Sequence, residues 1–248
     1  MVRIGIIGGT GLENPDILKS PSEIVIPTPY GETSSPLLTG TIRGKDIVIL
    51  SRHGRNHTIP PGQVNNRANI YALQDAGCTH IIATTACGSL RNEIGRGDIV
   101  IPDQFIDFTH HRISTFFEEF RPGKLQHCAM PDPFNKDLRN HLISSAKELG
   151  LKFHPAGTLI TIEGPRFSTR AESRMYRTWG ADIVNMSIAP EVILANELRI
   201  PYAALAMSTD YDSWKDDVDP VSWEEVLKVF SENVKNVTKL LLLTISGI

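Results

Sequence analysis

Two aspartates two residues apart, in Ser208-Thr209-Asp210-Tyr211-Asp212, directly follow the apolar run 202–207. That run is too short for a lone helix and lies between Pro201 and the acids, so it reads as a fully buried strand. Ligands of α/β proteins bind outside the carboxyl ends of parallel strands. Paired carboxylates at such a place could hold a metal, act as acid and base on a glycosidic bond, or cap a helix. A second cluster, Ser51-Arg52-His53-Gly54-Arg55-Asn56-His57, follows the apolar run 47–50. Four cationic or imidazole side chains past a strand end fit an anion site better than a solvated loop. Thr84-Thr85-Ala86-Cys87-Gly88-Ser89-Leu90 adds small hydroxylic residues before a glycine, again suited to donors aimed at an anion.

Other motifs carry less. Gly8-Gly9-Thr10-Gly11 closes the first apolar run and lets backbone N–H groups approach an anion. It is a poor dinucleotide fingerprint, because Gly9-x-Gly11-x-x ends on Asn14 and Asn14-Pro15 does not continue a helix. Gly40-x-x-x-Gly44-Lys45-Asp46 lacks one spacer of a Walker loop and has Asp where Ser or Thr must hold magnesium. It reads as a hairpin turn at Gly44-Lys45 between strands 38–42 and 46–50. His110-His111 has no ligand partners at metal-site spacing, so no metal is expected.

The elements that must position these groups follow from local signals. Strands are expected at 2–7, 38–42, 46–50, 78–83, 99–101, 157–162, 182–184 and 202–207. Residues 21–45 read as loop or edge strand. Pro60-Pro61 opens a helix that ends at Gly77. Asn135 caps a helix carrying Leu138, Leu142, Ala146 and Leu149 and stopped by Gly150. Thr169-x-x-Glu172 is a capping box for a helix stopping at Gly180, and Pro190 lies in the first turn of the next. Ser222-x-x-Glu225 caps the last helix, with Trp223, Leu227, Phe230, Val234, Val237 and Leu241 along one face. Residues 102–134 read as a long irregular stretch, which is usually functional or shared with a partner chain. Strands alternating with helices define an α/β fold, a central mixed sheet flanked by helices. No linker or repeat divides the chain, so residues 1–248 are expected to form a single domain.

Composition excludes other classes. The 248 residues are 41% hydrophobic and 21% charged, enough for a sizeable core. With 25 basic and 28 acidic residues, nothing favours nucleic acid or an anionic membrane. The longest apolar run near the C-terminus, 240–243, is far too short for a bilayer span. Cys78, Cys87 and Cys128 fit a reducing compartment, and the N-terminus lacks a signal-peptide layout, so a cytoplasmic protein is expected.

Taken in order, the anion-loop and acid motifs resemble the trimeric purine nucleoside phosphorylase family, and within it the methylthioadenosine phosphorylases. To them are added Asp98-x-Val100-x-Pro102-Asp103-Gln104-Phe105-Ile106-Asp107, Glu163-Gly164-Pro165-Arg166-Phe167-Ser168 and Asn185-Met186-x-x-x-Pro190-Glu191. The match spans residues 2–240. It implies a nucleoside phosphorylase fold, a homotrimer, no cofactor, and inorganic phosphate as co-substrate. The implied reaction is phosphorolysis of 5′-methylthioadenosine to adenine and 5-methylthioribose 1-phosphate. The alternative is a phosphorylase for 6-oxopurine nucleosides such as inosine or methylthioinosine.

By resemblance, Thr10, Arg52, His53, Thr85, the Ala86 backbone N–H and Ser187 hold phosphate; relatives often carry Thr at the last position. Met186 packs beneath the ribose, Phe167 and Ser168 meet the purine, and Asn185 and Thr209 complete the nucleoside site. Trp223, Val226 and Leu227 line an apolar 5′ pocket, which His127 enters from a neighbouring subunit. Asp210 is then the protonated carboxyl that gives its proton to purine N7, and this requires a raised pKa. Asp212 accepts from the 6-amino group and selects adenine, which offers a donor where a 6-oxopurine offers an acceptor. Both acids lie on one side of the ligand, unlike a glycosidase pair flanking the sugar.

Overall fold

Strand alternation decides which residues meet which helices. The computed structural model describes residues 2–8, 17–120, 122–123, 125–218 and 221–248. The chain runs β1 (Arg3–Gly8), β2 (Lys19–Ile24), β3 (Leu37–Ile42), β4 (Lys45–Ser51), α1 (Asn66–Asp75), β5 (His80–Ser89), β6 (Ile99–Val100) and β7 (Gln104–Phe108). It continues with α2 (Lys136–Glu148), β8 (Phe153–His154), β9 (Thr158–Ile162), α3 (Arg170–Thr178), β10 (Ile183–Asn185), α4 (Ile188–Glu197), β11 (Tyr202–Asp210) and α5 (Trp223–Gly247). The eleven strands among the described residues join one mixed sheet with the path β2-β3-β4-β1-β5-β10-β9-β7, and β11, β6 and β8 branch from β5.

Ile7, Val48, Leu50, Ala204 and Ala206 pack with α1 and α4 on one face. Their neighbours Ile4, Ile6, Ile47, Ile49, Leu205 and Met207 pack with α2 and α5 on the other. This two-residue period puts apolar side chains on both faces of the central strands, as a sheet covered twice requires. A one-residue slip of β4 would exchange one apolar set for another, so burial alone holds its register weakly. The turn holds it instead. Ile42 pairs with Lys45, and Arg43 and Gly44 between them both have positive φ, +49° and +80°. Two positive φ values match the twist of a two-residue hairpin. The turn is therefore Arg43-Gly44, one residue before the expected Gly44-Lys45.

Three further expectations are corrected. Pro60-Pro61 opens only a 3-10 turn at Pro61–Gln63; α1 starts afresh at Asn66, where the Asn65 side chain accepts from Ala68 N. Residues 84–89 are strand rather than loop, because β11 stays paired with β5 as far as Gly88. The stretch 102–134 contains β7, which pairs in parallel with β9 from Gln104↔Thr158 to Phe108↔Ile162. The caps expected at Asn135, Thr169 and Ser222 all form, and Thr169 with Glu172 makes a complete capping box.

One exchange of partners shapes the molecule. The first half of β5 pairs in parallel with β1 through residues 80–83, while its end pairs antiparallel with β10, Gly88 against Val184 and Ser89 against Ile183. β1 and β10 thus diverge along β5, and a crevice opens beyond the carboxyl ends of β1 and β4. Crevices of this kind at strand ends are where α/β sheets bind ligands. No helix among the described residues is long and apolar enough to cross a membrane.

Candidate active site

The crevice is a cavity of about 120 Å³ lined from β4, β5, β10, β11 and the first turn of α5. One end carries donors. Arg52, at the end of β4, is buried to 1% exposure, and its Nε and Nη2 both donate to the Glu191 carboxylate while Nη1 donates to Thr84 O. Glu191 on α4, equally buried, also accepts from the Tyr202 hydroxyl at 2.7 Å. The directional fork of Arg52 is therefore committed to Glu191, and the pair brings little net charge to the cavity. An anion at this end would be met by hydrogen-bond donors more than by net charge. His53 holds Ile59 O through Nδ1 at 2.8 Å. The hydroxyls of Thr85 on β5 and Ser187 after β10 are 3.3 Å apart.

The basic cluster splits. Arg55 leaves the cavity and pairs with Glu23 at 2.7 Å on the surface. His57, with φ +52°, turns back over the cavity, its ring between those of His53 and Trp223 at centroid distances of 4.5 and 5.3 Å. The 51–57 motif thus contains one pocket residue, His57, that sequence reasoning did not separate from the rest of the cluster.

The other end carries the acids. Asp210 closes β11 opposite Gly88, after a bulge between Ser208 and Asp210. A Cβ at position 88 would lie 2.8 Å from Asp210 Oδ1 and 3.1 Å from Val184 Cγ1. Glycine is needed there for the carboxylate to pack against the strand. Asp210 Oδ2 accepts from Thr209 Oγ1 and Oδ1 from Asp212 N, each at 2.8 Å. Burial raises its pKa to about 6 against those two hydrogen bonds, and the Asp212 charge adds a smaller upward push. The raised pKa expected from the sequence is thus present, and desolvation is its main cause.

Asp212, at φ +48°, is held in the left-handed region. Burial raises its pKa, opposed by the Ser173 and Ser168 hydroxyls and the Ser213 N–H. Its Oδ2 is buried without a hydrogen bond among the described residues, and so are Ser168 Oγ and Ser173 Oγ. The two hydroxyls lie near enough to favour the ionised form without reaching good hydrogen-bond geometry. An unsatisfied buried carboxylate oxygen is costly and well suited to a ligand N–H.

Thirteen of the anticipated residues line this one cavity: Arg52, His53, Thr85, Ala86, Phe167, Asn185, Met186, Ser187, Thr209, Asp210, Asp212, Trp223 and Val226. Met186 packs against Gly164, where φ is +64° and a Cβ would collide with its sulfur. Ser187 occupies the N-cap position of α4 but makes no side-chain cap hydrogen bond, which leaves its hydroxyl to the cavity. Three anticipated residues lie elsewhere in the single chain. Ser168 is buried behind Asp212, Leu227 is 41% exposed one turn along α5, and His127 lines a separate cleft near Tyr202. Thr10 lies outside the described residues. No group of three or more metal-ligating side chains occurs among the described residues.

Residues 3–246 match the phosphorylase superfamily model, and the chain belongs to that superfamily. It is 54% identical over 251 residues to the S-methyl-5′-thioadenosine phosphorylase of Xenopus tropicalis, covering 100% of this chain and 89% of that one. Identity to the same enzyme of Drosophila melanogaster is 50%, covering 97% and 84%. Among solved structures, the methylthioadenosine phosphorylase of Schistosoma mansoni in complex with adenine superposes with a TM-score of 0.94 at 40% identity, covering 99% of this chain and 91% of that one. A point mutant of the Schistosoma mansoni adenosine/methylthioadenosine phosphorylase, in complex with methylthioadenosine, gives 0.90 at 40% identity, covering 99% and 91%. The fold is the nucleoside phosphorylase fold, an α/β mixed sheet between helices, as the sequence indicated.

Proposed function

We propose that this chain cleaves 5′-methylthioadenosine with inorganic phosphate, releasing adenine and 5-methylthioribose 1-phosphate. One observation carries the reading: hydroxyl and imidazole donors and two buried carboxylates face each other across a single cavity. Similarity over the whole chain to methylthioadenosine phosphorylases supports it independently.

Breaking an N-glycosidic bond builds positive charge on the sugar and negative charge on the departing purine. Catalysis needs an anionic nucleophile below C1′ and a proton donor at the base. Phosphate at the Thr85 and Ser187 hydroxyls, Arg52, His53 and the Ala86 N–H supplies the first. Thr10 is assigned to the same site by resemblance alone. The protonated Asp210 carboxyl supplies the second, bonding N7 and passing its proton there as the bond breaks. A pKa near 6 keeps part of the population protonated around neutral pH, and burial beneath a purine favours that form further. Asp212 accepts from the 6-amino group through its unsatisfied Oδ2 and so selects adenine. Met186 packs under the ribose near Thr209, and Phe167 packs on the purine with Ser168 behind Asp212. Trp223, Val226 and Leu227 surround the methylthio group.

The half-exposed faces of Trp223 and Leu227 favour a homotrimer in which His127 of a neighbouring subunit completes the 5′ pocket. The free thiols of Cys78, Cys87 and Cys128 accord with a cytoplasmic setting. Base release from methylthioadenosine, adenosine, inosine and methylthioinosine, each with and without phosphate, tests the proposal. Phosphate-dependent release of adenine from methylthioadenosine is expected. Faster turnover of either inosine compound would overturn the adenine assignment.

A further inference from the structure

Asn185 has its four amide hydrogen-bonding positions occupied by protein. Oδ1 accepts from Thr161 Oγ1 at 2.8 Å and from Ser187 N at 3.5 Å. Nδ2 donates to Thr85 Oγ1 at 3.2 Å and to Ser187 Oγ at 3.4 Å. Thr161 Oγ1 in turn accepts from Ala189 N at 3.0 Å. Thr161, Asn185, Ser187 and Thr85 are all less than a tenth exposed.

Two backbone donors set the order of donors and acceptors in this chain. Ala189 N–H and Ser187 N–H are backbone donors and never accept. Thr161 Oγ1 receives one of them, so its single proton is free for Asn185 Oδ1. With Oδ1 fixed by two donors, the amide NH2 group must face the Thr85 and Ser187 hydroxyls. Those oxygens then act as acceptors toward Asn185, and each retains one proton to give elsewhere. The Ala86 carbonyl, 2.9 Å from Thr85 Oγ1, and the contact between the two hydroxyls, 3.3 Å apart, compete for these protons. Thr85 and Ser187 both line the cavity, so an anion bound there can take the protons in exchange.

We propose that Asn185, oriented by Thr161, is a positioning residue that turns the Thr85 and Ser187 hydroxyls into donors toward phosphate. This gives Asn185 a place behind the anion rather than against the nucleoside. It also explains how a cavity whose Arg52 is already neutralised by Glu191 selects an anion: the polarity of its hydroxyls is set from behind by two backbone N–H groups. The inference rests on the reading of Thr85 and Ser187 as phosphate-binding groups.

Three variants separate the two claims. Asn185→Asp keeps the shape but replaces the donor with a carboxylate. That carboxylate would draw the hydroxyl protons away from the cavity and add a negative charge beside the anion. Its phosphate KM is expected to rise about a hundredfold, from the loss of charge-assisted hydrogen bonds at roughly a tenfold each. The nucleoside KM should stay within about twofold. Thr161→Val is nearly isosteric and removes the hydroxyl that orients the amide, while also leaving Ala189 N without its acceptor. It should raise the phosphate KM about fivefold, on the scale of one weakened hydrogen bond. It should also shrink the thermal stabilisation that phosphate alone gives the protein, a readout that needs no turnover. Thr85→Val tests the underlying reading: an unchanged phosphate KM would mean that the hydroxyl does not bind phosphate at all. If Thr85→Val raises the phosphate KM while Asn185→Asp and Thr161→Val leave it within about twofold, or move both KM values together, the relay is refuted and the phosphate site stands.

Discussion

Asp210→Asn separates what burial does to the acid from what the acid does to the substrate. In the folded chain the pKa of Asp210 is about 6, against 3.8 for an ordinary aspartate. A difference of roughly two units, at about 1.4 kcal/mol each, makes the ionised side chain cost about 3 kcal/mol of folding free energy. The sign follows from proton binding: the folded state holds the proton more tightly than the unfolded one. The cost is absent below about pH 4, grows through the interval to pH 6, and is complete above it. Asn cannot ionise, so it removes this slope, although its NH2 group disturbs one of the hydrogen bonds from Thr209 and Asp212 N. The stability difference between variant and wild type should therefore move in the variant's favour by about 3 kcal/mol from pH 4 to pH 8. Urea unfolding at fixed protein concentration across that range reads it, and constant offsets from the altered hydrogen bond cancel. Turnover of methylthioadenosine by the same variant should fall by about 10²–10⁴, the usual contribution of a positioned general acid. Wild-type kcat/KM should decline toward tenfold per pH unit above pH 6 as the protonated carboxyl disappears. A stability difference flat with pH would refute the raised pKa, and near-normal turnover would refute Asp210 as the acid.

Asp212→Asn should lower kcat/KM for methylthioadenosine by about a hundredfold while improving methylthioinosine, because the amide can donate to a 6-oxo group; competition between the two nucleosides measures the ratio. Gly88→Ala should reduce turnover by more than about tenfold with little change in phosphate affinity, since the new methyl meets Asp210 Oδ1 at 2.8 Å and must displace it. Trp223→Ala opens the wall beside His57, so preference for methylthioadenosine over adenosine should fall about tenfold, read as the ratio of kcat/KM values. Light scattering should give a mass three times the 27.4 kDa of one chain, and a monomer would remove His127 from the site.

What could be read from the sequence was what neighbours in sequence decide. Asn135, Thr169 and Ser222 cap helices with atoms three residues away, and the alternating apolar sets of β1, β4 and β11 were visible as runs. The element boundaries that failed depend on distant partners. Residues 84–89 look like a small-residue loop because nothing local reveals that β11 continues to pair with them. β7 was hidden for the same reason, its pairing with β9 bridging about fifty residues. The candidate site divides along the same line. Residue types indicated which groups could meet phosphate or purine, and thirteen of them share the cavity. Their roles depend on contacts across the sheet. Glu191 takes the Arg52 fork from 139 positions away, and Asn185 reaches Thr85 across 100. Arg55 and His57, two residues apart, were indistinguishable until the positive φ at His57 sent one ring over the cavity.

Phosphate, and not water, is expected to take the sugar. Following methylthioadenosine with the purified protein by 31P NMR, alongside chromatographic measurement of adenine, tests it most directly. A sugar 1-phosphate resonance should grow in step with adenine, and negligible adenine should appear when phosphate is withheld. Adenine released at the same rate without phosphate, with free methylthioribose as the product, would contradict it.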